Sequence, residues 1–124
     1  MAKIPLLLDT DIFIDYFNTG RFHALFNSSR FTIYYSIITR KELLTKPGLR
    51  DNERASILAE LTRCRLITLT DPIAARYSDL RHRYPSLEQS DALIAATALV
   101  KRLPLMTRNK RHYRMIEDLP LFGE

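Results

Sequence analysis

Asp9 closes the apolar run Ile4-Pro5-Leu6-Leu7-Leu8, and Asp91 opens Ala92-Leu93-Ile94-Ala95-Ala96-Thr97-Ala98-Leu99-Val100, the most apolar helical stretch of the chain. Either carboxylate has a modest alternative use. Asp9 could cap a helix, and an anion in a first helical turn gains about 0.3–1 kcal/mol from the helix dipole. An ionised carboxylate beside so apolar a helix is nevertheless costly unless it is paired or metal-bound, so Asp91 calls for a nearby cation, although Ser90 could serve as the cap instead. Glu42, inside Ile37-Ile38-Thr39-Arg40-Lys41-Glu42-Leu43-Leu44, could pair with Lys46 four residues on for about 0.3–0.5 kcal/mol, or join the two aspartates. Three carboxylates converging on one edge repel, and the oxygen-preferring ions Mg²⁺ and Mn²⁺ are the usual remedy. His23, His82 and His112 share no helical spacing, which speaks against zinc. The lone Cys64 excludes an internal disulfide and a cysteine-based zinc site, suits a reducing compartment, and reads as a packed helix residue.

The elements that must position these groups alternate. Residues 4–8 read as a strand buried on both faces. Asp9-Thr10-Asp11 supplies capping chemistry, a helix follows over 12–17, and Asn18-Thr19-Gly20 closes it. A short helical stretch over 21–27 leads to a strand at 32–35, rich in β-branched and aromatic residues. The next helix spans about 39–46 and stops at Pro47-Gly48. Ala55, Leu58, Ala59 and Leu61 give residues 51–64 the spacing of an amphipathic helix, and 66–69 form a third strand. Thr70-Asp71-Pro72 starts a helix running to about Arg83, because a proline at the first helical position needs no N–H partner. After a polar loop over 86–90, residues 91–100 form a helix apolar on every side, which must lie centrally against the sheet or a partner subunit. Residues 104–107 make the last strand. The expected fold is α/β: a short parallel sheet with helices on both faces, residues 1–124 as one domain, and ligands beyond the carboxyl ends of the strands.

Composition narrows the partner. Hydrophobic residues at 46% and charged residues at 27% exclude disordered and collagen-like chains. Lysine and arginine number 19 against 14 acidic residues, a net charge of +5 that favours a polyanion. The surplus is concentrated in Lys101, Arg102, Arg108, Lys110, Arg111 and Arg114, a segment that also holds His112 but no carboxylate. An ordinary solvated surface would look similar. The N-terminal apolar stretch is too short for a signal peptide or membrane span, so a cytoplasmic protein without membrane association is expected.

Four segments in order also carry a resemblance: Leu6-Leu7-Leu8-Asp9-Thr10-Asp11-Ile12-Phe13-Ile14-Asp15, Ser36-Ile37-Ile38-Thr39-Arg40-Lys41-Glu42-Leu43, Ser90-Asp91-Ala92-Leu93-Ile94-Ala95-Ala96-Thr97-Ala98 and Leu105-Met106-Thr107-Arg108-Asn109. Together they resemble the successive motifs of PIN-domain ribonucleases, and most of all the VapC toxins of toxin–antitoxin pairs. The resemblance implies a three-layer α/β/α PIN-like domain, an endoribonuclease dependent on Mg²⁺ or Mn²⁺, a homodimer, and inhibition by a VapB-like antitoxin. Its acidic positions fall on Asp9, Glu42 and Asp91, expected to hold the metal, with Asn109 as the match to a fourth, commonly acidic, position. Where many relatives carry an acid slightly later, this chain has His112, and Asp11 stands where asparagine is common. By the same resemblance a metal would activate water for in-line attack on RNA. Thr10 and Thr107 would orient that water or a phosphate oxygen, unless they serve as backbone caps. Arg108, Lys110 and Arg111 become candidates for phosphate contacts.

Two alternatives remain. The first is a PIN-fold RNA-binding or antitoxin-docking module whose site is weakened by Asn109. The second is a haloacid-dehalogenase-type phosphatase, suggested by Asp9-Thr10-Asp11 but opposed by Phe13, by the chain's length and by the lack of a later acidic pair.

Overall fold

The computed structural model describes residues 2–123. Its elements are β1 (Ile4–Leu8), α1 (Thr10–Thr19), α2 (His23–Phe26), β2 (Phe31–Ser36), α3 (Ile37–Leu44), α4 (Asp51–Leu61), β3 (Arg65–Ile67), α5 (Asp71–Arg83), α6 (Gln89–Lys101), β4 (Leu105–Met106) and α7 (Lys110–Tyr113). The strands form one parallel sheet in the order β3-β2-β1-β4. Leu6 is in register with Ile33, and Leu7 with Leu105.

The leucine run explains the three layers. Successive strand residues face opposite sides, so Leu7 joins Ile73, Leu80, Ile94 and Leu105, while Leu6 and Leu8 join Ile12, Phe13, Phe26, Leu43 and Leu61. All three leucines are fully buried, each worth about 1.5–3 kcal/mol relative to exposure. Helices α5 and α6 cover one face, and α1, α3 and α4 cover the other. The alanines of α6 let α5 and the sheet close on it, and its residues Ala92 and 94–98 are buried. Among the described residues no helix is long and apolar enough to cross a membrane.

Capping moves several boundaries from those the sequence suggests. Helix α1 begins at Thr10 rather than residue 12, because the Asp9 carboxylate accepts from the Thr10 amide at the helix entry. Ser36 accepts from the Thr39 amide in the same way, so α3 begins at Ile37 and ends two residues early. Helix α6 starts at Gln89, which makes Asp91 its third residue and places Ser90 inside the helix, not at its cap. Helix α4 stops at Leu61, so Cys64 lies in the following turn and not in a helix, its thiol 3.6 Å from the Glu60 carbonyl. Strand β3 sits closer to α4 than expected, and β4 keeps only two paired residues. Helix α7, one turn long, lies in the basic segment where periodicity is too short to be read.

Candidate active site

Parallel strands direct their carboxyl ends to one edge, and β1, β2 and β4 each release a polar residue there. Asp9 leaves β1, Ser36 ends β2 and starts the helix bearing Glu42, and Thr107 leaves β4. Asp91 reaches the same edge from the first turn of α6.

Asp9 is 5% exposed and thoroughly engaged. Its Oδ1 accepts from the Thr10 amide at 2.8 Å, and its Oδ2 accepts from the Thr107 hydroxyl at 2.8 Å and from the Tyr113 hydroxyl at 3.0 Å. Burial first, and then the Asp11 charge, push its pKa up to about 6 against the two hydroxyl donors. Tyr113 also lies 3.1 Å from Asp91 Oδ1, so one phenol bridges two carboxylates. Burial and both aspartates push that phenol far above its ordinary range, which keeps it a proton donor. Asp91 is raised as well, mainly by burial and further by Glu88, while Tyr113 and His112 oppose the shift. His112 Nδ1 is 3.7 Å from Asp91 Oδ2.

Asp11 is a third member of the cluster. Its Oδ2 accepts from the Arg108 amide and the Asn109 side-chain amide, both at 3.1 Å, with the Thr107 hydroxyl at 3.4 Å. Its Oδ1 is buried with no hydrogen-bond partner. Burial raises its pKa too. Asn109 is thus aimed at Asp11, and its backbone N–H is bound to Thr107 at 3.0 Å. Glu42 stands one step away: the Thr10 hydroxyl donates to its Oε1 at 2.8 Å. Having given its only proton to Glu42, Thr10 accepts from the fully buried Thr39 hydroxyl at 2.9 Å. No Glu42–Lys46 ion pair forms among the described residues.

The structure therefore brings Asp9, Asp11, Asp91, Thr107 and Asn109 together and links Glu42 to them through Thr10. Thr10 and Thr107 donate to carboxylates. Tyr113 and Thr39 were not singled out by the sequence. The usable signal for Tyr113 was that an aromatic hydroxyl within a core must find a polar partner.

Among the described residues no three His, Cys, Asp or Glu side chains form a ready-made metal-holding group. The chemistry nonetheless fits a hydrated hard cation. The donors are carboxylate and hydroxyl oxygens, three carboxyls have raised pKa values, and one buried carboxylate oxygen lacks any partner. Mg²⁺ commonly keeps several waters and takes only one or two protein carboxylates.

Beside this acidic edge lies an open cleft of about 800 Å³ whose lining includes Arg21, Phe22, Arg108, Lys110, Arg111 and Arg114. Arg108 is already engaged, its Nη1 being 2.7 Å from Asp15 Oδ2. Lys110 and Arg111 form no ion pair among the described residues.

The chain is similar to known proteins along most of its length. The PIN domain family profile matches residues 6–117. Ribonuclease VapC1 of Methanocaldococcus jannaschii is 29% identical over 94% of this chain and 84% of its own length. Ribonuclease VapC19 of Mycobacterium tuberculosis is 34% identical over 91% of this chain and 95% of its own. A toxin-antitoxin complex from Klebsiella pneumoniae contains a chain that superposes with a TM-score of 0.74 at 30% identity, covering 90% of this chain and 92% of that one. VapBC2 from Rickettsia felis, solved with a promoter DNA fragment, shares the fold at a TM-score of 0.80 and 22% identity, over 95% of this chain and 97% of that one.

Proposed function

The chain belongs to the PIN domain family as a relative of the VapC ribonucleases, and from that premise we propose that it is a divalent-metal-dependent endoribonuclease, the toxin of a type II pair held in check by a VapB-like antitoxin. The observation that carries this reading is the meeting of Asp9 and Asp91, far apart in the sequence, on one Tyr113 hydroxyl at the carboxyl edge of the sheet. Family membership leaves the haloacid-dehalogenase alternative without support.

Asp9 and Asp91 would hold Mg²⁺ or Mn²⁺, with Glu42 completing the charge from the far side of Thr10. A bound ion of this kind supplies positive charge against a phosphate oxygen and acidifies water. The residues themselves do the rest. Thr10, Thr107 and Tyr113 spend their hydroxyl protons on carboxylates, which holds the site rigid and leaves attack on the phosphate to water. Asn109 contributes by fixing Asp11. Lys110 and Arg111 are the first phosphate contacts, and Arg108 joins them by exchanging Asp15 for RNA. An antitoxin would block most economically by placing an arginine or lysine among the carboxylates, replacing the charge of the ion. We assign the working protein to the cytoplasm, as a homodimer.

Cleavage of RNA by the purified chain with Mg²⁺ or Mn²⁺, lost in EDTA, tests the reading. RNA binding without cleavage in either metal would favour the weakened module instead. Production of the chain alone should arrest bacterial growth, and co-production of its antitoxin should restore it.

A further inference from the structure

A buried tyrosine needs one polar partner for its hydroxyl, and Tyr113 has two. The ring is 1% exposed and packs in the core cluster beneath α6, so the core dictates where the hydroxyl sits. It lies 3.0 Å from Asp9 Oδ2 and 3.1 Å from Asp91 Oδ1. A phenol carries a single proton, so it satisfies one carboxylate and turns a lone pair towards the other. A buried and a half-buried anion around one proton is a poor arrangement by itself, and added positive charge would relieve it. Each aspartate then has one oxygen that Tyr113 does not occupy. Among the described residues Asp9 Oδ1 takes only the Thr10 amide, and His112 Nδ1 is 3.7 Å from Asp91 Oδ2.

We propose that Tyr113 is a positioning residue for the divalent cation: its oxygen stands between Asp9 and Asp91 and sets their separation, donating to one of them and filling the space beside one oxygen of the other, so that the second oxygen of each is presented to the ion. The inference rests on the metal-dependent reading of the site. It assigns a role to a side chain outside the acidic set, and it separates Tyr113 from Thr107, which touches Asp9 but not Asp91. Loss of an outer-sphere partner of this kind typically lowers metal affinity about 10–100-fold.

The test uses the full RNA-free chain with Mg²⁺ alone as the probe. Calorimetric titration of Tyr113→Phe should give a Kd at least about tenfold weaker than that of the parent chain. In a second measurement the parent chain is labelled with 3-fluorotyrosine at its six tyrosines. One ¹⁹F resonance, the one displaced by Asp91→Asn, should shift with Mg²⁺ and share the calorimetric midpoint. This arm decides the matter if Tyr113→Phe does not fold. Equal affinities in parent and variant, or a resonance that stays still while calorimetry records binding to the parent, would overturn the positioning role and leave the metal reading standing. A parent chain that binds no Mg²⁺ would overturn the metal reading and this inference with it.

Discussion

Asp9 is nearly sealed from solvent and accepts three hydrogen bonds, from α1, from the segment after β4 and from α7, whereas Lys110 and Arg111, a few residues beyond Thr107, make no ion pair among the described residues. The two regions are adjacent and opposite in charge, and they are built differently. Anions that store charge for an ion must be held in place against their own repulsion, because low local polarity makes both the benefit and the cost large. Cations that meet a flexible polyanion gain mainly from released counterions and need little fixed geometry. Substitutions should therefore act steeply and locally on the acidic edge, and shallowly and additively on the basic cleft.

The steepest break is expected at the carboxylates. Asp9→Asn and Asp91→Asn should each reduce RNA cleavage by more than the roughly 10–100-fold that follows loss of an outer metal partner. Neither variant should unfold in EDTA, since each removes one of the repelling charges. Cleavage assays beside thermal unfolding check both halves, and wild-type cleavage by either variant would remove that residue from the site.

Burial of these carboxyls, reinforced by their mutual repulsion, should be visible as pH-dependent stability. Asp9 has an ordinary pKa of 3.8 unfolded and about 6 folded, so the folded chain binds the proton more tightly. Its contribution is fully present below about pH 4 and is lost as pH rises through about 6, because ionisation in the folded state is penalised. Two units correspond to on the order of 3 kcal/mol. Asp11 and Asp91 shift in the same direction and sharpen the effect. Urea titrations in EDTA across this window should show the fall, with a smaller slope in Asp9→Asn. Saturating Mg²⁺ should reverse it at neutral pH. A parent chain whose metal-free stability is level between pH 4 and 7 would contradict the burial argument.

A smaller effect is expected where a carboxylate is held at second hand. Thr10→Val keeps the shape but removes the hydroxyl linking Thr39 to Glu42. Cleavage should fall about tenfold. A loss equal to that of Asp9→Asn would place Thr10 in contact with the reacting groups instead.

How much of this was legible beforehand follows the same division. Leu6, Leu7 and Leu8 announce a strand buried on both faces, and the strand–turn–helix order places Asp9 at a carboxyl end, so the layers and the main carboxylates could be read directly. The role of Asn109 could not. Whether its amide meets a metal or Asp11 depends on a contact spanning almost the whole chain, and local spacing carries no such information. Tyr113 was hidden in a one-turn helix, too short for periodicity. Thr39 sits inside α3, where a hydroxyl ordinarily reads as a competitor for the backbone, not as a relay to another side chain. Boundaries moved wherever a side chain capped a helix, as Asp9 and Ser36 do.

The shallowest prediction distinguishes residues within the basic cleft. Arg108 looks like the leading phosphate ligand because it is nearest the site in sequence, yet its guanidinium lies 2.7 Å from Asp15, which also has Arg21 at 3.8 Å. To bind RNA it must leave a carboxylate, so the RNA sheds a condensed cation while the bared Asp15 takes one up, and the net release is small. Among the described residues Lys110 and Arg111 have no such pairing to give up. Each contact removed from single-stranded RNA should lower the slope of log affinity against log salt by about 0.7. Lys110→Gln and Arg111→Gln should each approach that change, whereas Arg108→Gln should change the slope by clearly less. Binding is best followed with a non-cleaving Asp9→Asn background, which keeps the RNA intact during the salt titration. Equal slopes for all three variants would mean that Asp15 yields Arg108 freely, and a full 0.7 for Arg108→Gln alone would return it to the first position and make Lys110 and Arg111 ordinary solvated surface.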